Sequence, residues 1–96
     1  MPKYILLSNL TCEGHKTIKE RPHRILEVNK EIEAYGAKVV DQYAVLGPYD
    51  FVTIIEAPDN MAATKVSTDL SSRGTIKILT MPATPTDEFA ANIKKK

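Results

Sequence analysis

Four stretches of the chain carry the apolar and β-branched patterns that are typical of β-strands. They are residues 3–8, 37–46, 51–57 and 75–81, which are rich in Val, Ile, Leu, Tyr, Phe and Thr. Only the tetrapeptide Gly47-Pro48-Tyr49-Asp50 separates the second stretch from the third. Because Gly, Pro and Asp favour tight turns, the tetrapeptide predicts a β-hairpin.

Helical spacing is found between the first two strands. The apolar residues that recur at intervals of three and four are Ile25, Val28, Ile32 and Tyr35. Gly36 follows as a helix stop signal. Pro22 is tolerated in the first turn of a helix but breaks a helix interior. The segment therefore predicts a short helix over residues 13–19 and a main helix that begins near Pro22.

Another helix is predicted after the third strand. Asp59 or Asn60 is its expected N-cap, since both side chains accept hydrogen bonds from the first backbone N–H groups of a helix. Its apolar stripe consists of Ala62, Val66 and Leu70. Gly74 marks its end.

The resulting order, β-α-β-β-α-β, predicts an α+β domain of the ferredoxin-like kind, with a four-stranded antiparallel sheet and two helices on one face. A chain of 96 residues is the size of one domain, so residues 1–96 are expected to form a single unit. Pro82 and Pro85 close the last strand. From about residue 83 we expect a tail or a short added element.

Both faces of the predicted sheet carry apolar residues. In the first strand Ile5 and Leu7 point away from Tyr4 and Leu6, and the third strand repeats this arrangement. Two helices cover only one face, so the other face needs a different cover. A second copy of the chain is the expected cover, which predicts a homodimer or higher homo-oligomer.

Composition limits the classes of partner. The formal net charge is +1, which does not favour a nucleic-acid-binding groove, because such grooves need clustered Lys and Arg. A single cysteine excludes an internal disulfide. Apolar runs are too short for a signal peptide or a membrane span, so a cytoplasmic location without membrane contact is expected.

Tyr49 is the residue of the tetrapeptide that a simple turn does not explain. Together with Tyr43 and Asp50 it offers two hydroxyl groups and one carboxylate, which can orient a small polar or aminated ligand. Tyr43, Gly47, Tyr49 and Asp50 are therefore the predicted ligand-binding residues. In the alternative, Asp50 caps the turn and Tyr49 packs across a subunit boundary.

No residues are predicted to be catalytic, and no metal or cofactor is predicted. Cys12 and His15 have a C-x-x-H spacing, but a structural zinc site needs about four ligands and the chain has no second cysteine. His23 and His15 are expected at the surface. The strand residues available for an enzyme cavity are Asn9, Asp41, Gln42 and Thr53, which do not form an acid/base set.

The chain resembles the GYD-domain family, whose name describes a Gly-x-Tyr-Asp motif. The resemblance is carried by residues 42–50, residues 4–8 and residues 54–59, and it extends over about residues 2–89. It implies a ferredoxin-like fold of the dimeric α+β barrel kind. It implies no particular activity.

The hairpin is also similar to the Gly-x-Tyr/Phe-Asp hairpin in the ligand-sensing domain of Lrp/AsnC-type regulators. This second resemblance implies a small effector bound between subunits close to the hairpin. The likeness covers four residues, Gly47 to Asp50, within a shared order of elements. Because no helix-turn-helix segment precedes the first strand, DNA binding does not follow from it.

Three functions are compatible with these observations. The favoured one is a non-catalytic, oligomeric small-molecule-binding or regulatory module of unassigned ligand, with a small metabolite as one candidate for binding near the Tyr43, Tyr49 and Asp50 hairpin. One alternative is a dimeric α+β barrel enzyme, of the monooxygenase-like kind, that acts on a small organic substrate. The other alternative is a structural or interaction subunit.

Overall fold

The computed structural model describes residues 1–94. Within these residues four strands form one antiparallel sheet in the order β2-β3-β1-β4. The elements are β1 (Lys3–Leu10), α1 (Cys12–Glu20), α2 (Arg24–Glu31), a 3-10 helix (Ile32–Tyr35), β2 (Lys38–Ala44), β3 (Phe51–Glu56), α3 (Asn60–Ser72), β4 (Ile76–Ala83) and α4 (Thr86–Asn92). The predicted ferredoxin-like α+β fold is confirmed, and each strand end lies within two residues of its predicted position.

The main helix is shorter than predicted. It begins at Arg24 instead of Pro22, because Pro22 and His23 form a turn in which the Arg24 N–H donates to the Arg21 carbonyl oxygen at 3.0 Å. After Glu31 the chain tightens into a 3-10 helix, which ends at Gly36 as predicted. The apolar face predicted for one long helix is therefore divided between two elements.

The end of the chain also differs from the expectation. β4 continues through Pro82, which lies opposite Tyr4 of β1. A proline is compatible with this position because β4 is an edge strand of the sheet and needs no partner on its outer side. The predicted tail from about residue 83 contains helix α4, and its residues 95 and 96 lie outside the described residues.

The core lies between one sheet face and the helices. Ile55 of β3 and Val66 of α3 are fully buried in it. The predicted α3 stripe is confirmed, with all three of its residues buried, and Asp59 is the N-cap because its Oδ1 accepts from the Ala62 N–H at 2.9 Å. Tyr4 is buried against α3, where its hydroxyl donates to Asn60 Oδ1 at 2.7 Å.

The opposite sheet face is not covered by any helix of the described chain. We call it the open face. Its central apolar residues, which are all partly or fully exposed, are Ile5, Leu7, Val52, Ile54, Leu79 and Met81. Lys3, Lys38 and Glu56 lie in register across one end of it, and Lys77 lies at the other end. The open face therefore has an apolar centre and charged ends.

Helix α1 approaches the sheet closely through Gly14. A Cβ atom at this position would lie 2.0 Å from the Thr75 carbonyl oxygen. Thr11 holds the same junction, since its N–H donates to the Thr75 oxygen at 3.0 Å and its hydroxyl caps α1 by accepting from the Gly14 N–H at 3.2 Å. This contact sets the position of α1 beside the start of β4.

Candidate functional site

The β2–β3 hairpin displays the predicted ligand residues. The Val45 N–H donates to the Asp50 carbonyl oxygen at 2.9 Å, which closes the loop 46–49. Gly47 has a φ of 119°, a value that side-chain-bearing residues rarely adopt, and it faces open space. Leu46 at the tip is fully exposed. The hairpin thus ends in a closed turn with an apolar side chain in solvent.

Asp50 joins this hairpin to the neighbouring strand. Its N–H donates to the Ser8 carbonyl oxygen at 2.8 Å, and its Oδ2 accepts from the Leu10 N–H at 2.8 Å. His15 Nε2 of α1 lies 3.7 Å from the same oxygen. Asp50 therefore caps a backbone N–H group, as the structural alternative expected, but at the end of β1 rather than in its own turn.

The two tyrosines of the predicted site lie in different surroundings. Tyr43 is opposite Val52 on the open face, at the outer strand of the sheet, and is 60% exposed. Tyr49 lies half-buried in the loop. The structure therefore brings Gly47, Tyr49 and Asp50 together in one loop, while Tyr43 belongs to the adjoining open face. Ligand binding by these four residues stays a prediction.

The polar strand residues considered for an enzyme cavity are divided between the two faces. Gln42 and Thr53 face the helices, where Gln42 Nε2 donates to Thr53 Oγ1 at 2.9 Å. Asn29 of α2 completes the set by donating to Gln42 Oε1 at 2.6 Å. Asn9 and Asp41 are on the open face. The helix-facing amides thus bond to one another. The sequence did not indicate a role for Asn29, because its hydrogen-bond partner lies on another element.

Cys12 and both histidines are exposed, as predicted. Among residues 1–94 no group of three or more His, Cys, Asp or Glu side chains could hold a metal ion. In the same part of the chain, no helix combines the length and the apolar character needed to cross a membrane.

A family model described as the GYD domain matches residues 4–93. This chain belongs to the GYD domain family. A relative that is 46% identical over 95 residues is the glutamine synthetase and cystathionine beta-lyase binding protein of Thermus thermophilus; the similarity covers 98% of this chain and 100% of the relative. The resemblance to the GYD family is confirmed, and the likeness to Lrp/AsnC-type regulators stays a prediction.

The fold is shared with a solved structure. The crystal structure of TTHA0845, also from Thermus thermophilus, is similar with a TM-score of 0.55 and 24% sequence identity, over 88% of this chain and 95% of that chain. At this identity the likeness supports the fold of the GYD domain and carries no conclusion about its chemistry.

Away from the hairpin, the GYD domain has a charged network that links α2 to the end of α3. Arg73 Nη1 donates to Glu31 Oε1 at 2.5 Å, and Arg73 Nη2 donates to Asp69 Oδ2 at 2.8 Å. Arg24 Nη1 lies 3.3 Å from both Glu27 and Glu31. The Arg73 hydrogen bond, aided by the charges of Arg73 and Arg24, lowers the pKa of Glu31.

This network borders a cleft of about 250 Å³ between α1, α2 and the end of α3. The side chain of Leu10, whose N–H bonds to Asp50, lines the cleft together with Gly14 and Arg24. Sequence reasoning missed the cleft, since its shape depends on how three helices are placed over the sheet. Arg73, at the C-terminal end of α3, also lines it.

Proposed function

We propose that this GYD domain is a non-catalytic, homo-oligomeric binding module that regulates a partner enzyme, and that the partner is a glutamine synthetase. The observation that carries the proposal is the 46% identity to a protein named for binding glutamine synthetase and cystathionine beta-lyase. Because that similarity spans the whole relative, the relative's binding surface lies within the segment that both proteins share.

The helix-facing polar residues support a binding role over catalysis. Asn29, Gln42 and Thr53 bond to one another, so their polar atoms hold α2, β2 and β3 together. General acid/base chemistry needs a titratable group within reach of the substrate. Amide and hydroxyl side chains that bond to one another do not provide one.

The open face supports self-association. A large apolar patch bordered by polar residues is typical of a protein interface, and the open face has this arrangement of apolar centre and charged ends. Full burial of an aliphatic side chain contributes about 1.5–3 kcal/mol. Several such residues on each subunit would give a stable oligomer.

The oligomer is tested by light scattering at low micromolar concentration. We expect at least twice the monomer mass of 10.7 kDa. Leu79→Glu should lower the mass, because Leu79 is 49% exposed on the open face. Leu26→Glu is the matched control, since Leu26 is 54% exposed on the outer side of α2. A monomeric parent protein would contradict self-association through the open face.

We place the enzyme contact at the hairpin tip. Leu46 is a fully exposed apolar side chain at a closed turn, and the burial of exposed apolar surface is a main driving force of protein association. Immobilised GYD domain should bind the glutamine synthetase of the same organism in biolayer interferometry. Leu46→Ser should weaken binding about tenfold or more, because burial of a leucine side chain contributes about 1.5–3 kcal/mol, while the control Leu26→Ser should not. Equal binding by both variants would place the contact elsewhere.

The small-molecule hypothesis for the hairpin is the second candidate. It is favoured by the geometry of Asp50, which uses Oδ2 for the Leu10 N–H and, among the hydrogen bonds of residues 1–94, leaves Oδ1 as an acceptor. An aminated or hydroxylated metabolite could bond to Oδ1 and to the Tyr49 hydroxyl. Tyr49→Phe should then abolish a metabolite-induced thermal shift without changing the unfolding temperature of the free protein. Identical metabolite responses in both proteins would exclude this role for Tyr49.

A further inference from the structure

The cleft beside α2 is open to solvent and mostly apolar. Small-molecule sites are typically concave and lined mainly by apolar side chains. A water molecule occupies about 30 Å³ of the liquid, so the cleft's volume of about 250 Å³ corresponds to about eight water molecules. Its aliphatic lining residues are Leu10, Ile18, Ile25, Val28, Leu70 and Ile76.

The helices around the cleft are incompletely buried. α2 has no fully buried residue, although Ile25 and Val28 face the sheet, and α1 buries only Gly14. A short helix is normally stabilised by burying its apolar stripe. The half-exposed stripe of α2 is therefore apolar surface that a bound molecule would remove from water.

The charged edge of the cleft provides directional hydrogen-bond donors. Arg24 contacts its two acidic partners through Nη1, and a guanidinium group has five N–H donors. Within residues 1–94 its other N–H groups make no side-chain hydrogen bond. The surrounding cluster pairs Arg21, Arg24 and Arg73 with Glu27, Glu31 and Asp69, so its formal charges balance. A carboxylate placed here would meet these Arg24 N–H donors in a cluster whose own formal net charge is zero.

We propose that this cleft binds a small amphipathic carboxylate, with its apolar body between α1, α2 and α3 and its carboxylate on Arg24. An apolar cavity of about 150 Å³ can bind benzene. By proportion, the cleft accommodates a body of about ten carbon atoms. None of the hairpin-tip residues 46–49 lines the cleft, so the site is separate from the proposed enzyme contact.

An NMR titration of the full chain tests the site with octanoate as the probe. Octanoate should shift the amide signals of cleft residues in a saturable way. Octanamide, which keeps the chain and removes the charge, should bind at least about threefold more weakly, because charge-assisted hydrogen bonds are about twice as strong as neutral ones. Acetate, which keeps only the charge, should produce no saturable shift.

Protein variants distinguish the contribution of the ligand's apolar body to binding from that of its carboxylate. Val28→Phe fills the cleft and should abolish octanoate binding; Thr17→Leu, a smaller filling change on α1, serves if Val28→Phe does not fold. Arg24→Gln should reduce octanoate affinity to that of octanamide. Arg21→Gln is the matched control, because Arg21 also bonds to Glu27 but does not line the cleft.

Several results would overturn the proposal. They are the absence of saturable octanoate shifts, shifts confined to the open face, undiminished binding by the folded cleft-filling variants, and equal effects of the two arginine changes. Saturation of the cleft by a synthetic peptide of residues 84–94, without a response to octanoate, would also overturn it and assign the cleft to helix α4 of a second copy.

Discussion

Removing the Asp50 carboxylate should destabilise the junction between the hairpin and the end of β1. In Asp50→Ala the Leu10 N–H, which is part-buried and donates to Asp50 Oδ2 at 2.8 Å, loses its partner. An unsatisfied buried donor costs about 1–3 kcal/mol. Asp50→Asn retains an acceptor oxygen and removes only the charge, so its cost should be about 1 kcal/mol or less.

Urea denaturation at fixed protein concentration measures both variants, because an oligomer's apparent stability depends on concentration. A loss of about 1 kcal/mol corresponds to a decrease in unfolding temperature of about 4–8 °C for a domain of this size. Glu20→Ala is the control, since Glu20 is an exposed carboxylate at the end of α1. If Asp50→Ala and Glu20→Ala had the same small effect, the capping role derived for Asp50 would be wrong.

Three further predictions concern the rest of the domain. Gly14→Ala should lower the free energy of unfolding by about 1–3 kcal/mol in urea denaturation, because its Cβ would overlap a backbone oxygen at the start of β4; a more stable variant, as helix propensity alone predicts, would contradict this close contact. The pKa of Glu31 is lowered in the folded state, so its contribution to stability is present above its ordinary value of 4.5 and is lost as the pH falls from there through the folded pKa; Arg73→Gln should reduce this acid-dependent loss in urea titrations at several pH values, and an unchanged pH dependence would oppose the assignment. Cys12→Ser and His23→Ala should change the free energy of unfolding by no more than about 0.5 kcal/mol, since both side chains are exposed; loss of stoichiometric zinc from Cys12→Ser, measured by elemental analysis, would contradict a metal-free surface cysteine.

The fold was predictable because its signals are local. Strand patterns, the stripe of α3 and the stop at Gly36 each depend on neighbouring residues, and the structure places them as expected. The division of the main helix was harder to predict from the sequence, because the hydrophobic spacing of three and four continues from α2 into the 3-10 helix. Periodicity alone does not distinguish a tightened turn from a continuous helix.

The candidate site was predictable only in part. The hairpin and the capping character of Asp50 follow from residue types, but its partner Leu10 is 40 positions away in the sequence. The network of Asn29, Gln42 and Thr53 joins three elements, so no local pattern indicates it. The cleft depends in addition on the close approach of α1 at Gly14, which only the tertiary structure shows.

Native mass spectrometry of the GYD domain mixed with the glutamine synthetase of the same organism tests the proposed function most directly. It reports the subunit number of the free domain and the composition of any complex in one spectrum. We predict free GYD domain at a multiple of 10.7 kDa, together with enzyme complexes that carry several copies of it. A spectrum that contains only free enzyme and monomeric GYD domain of 10.7 kDa would contradict both self-association and enzyme binding.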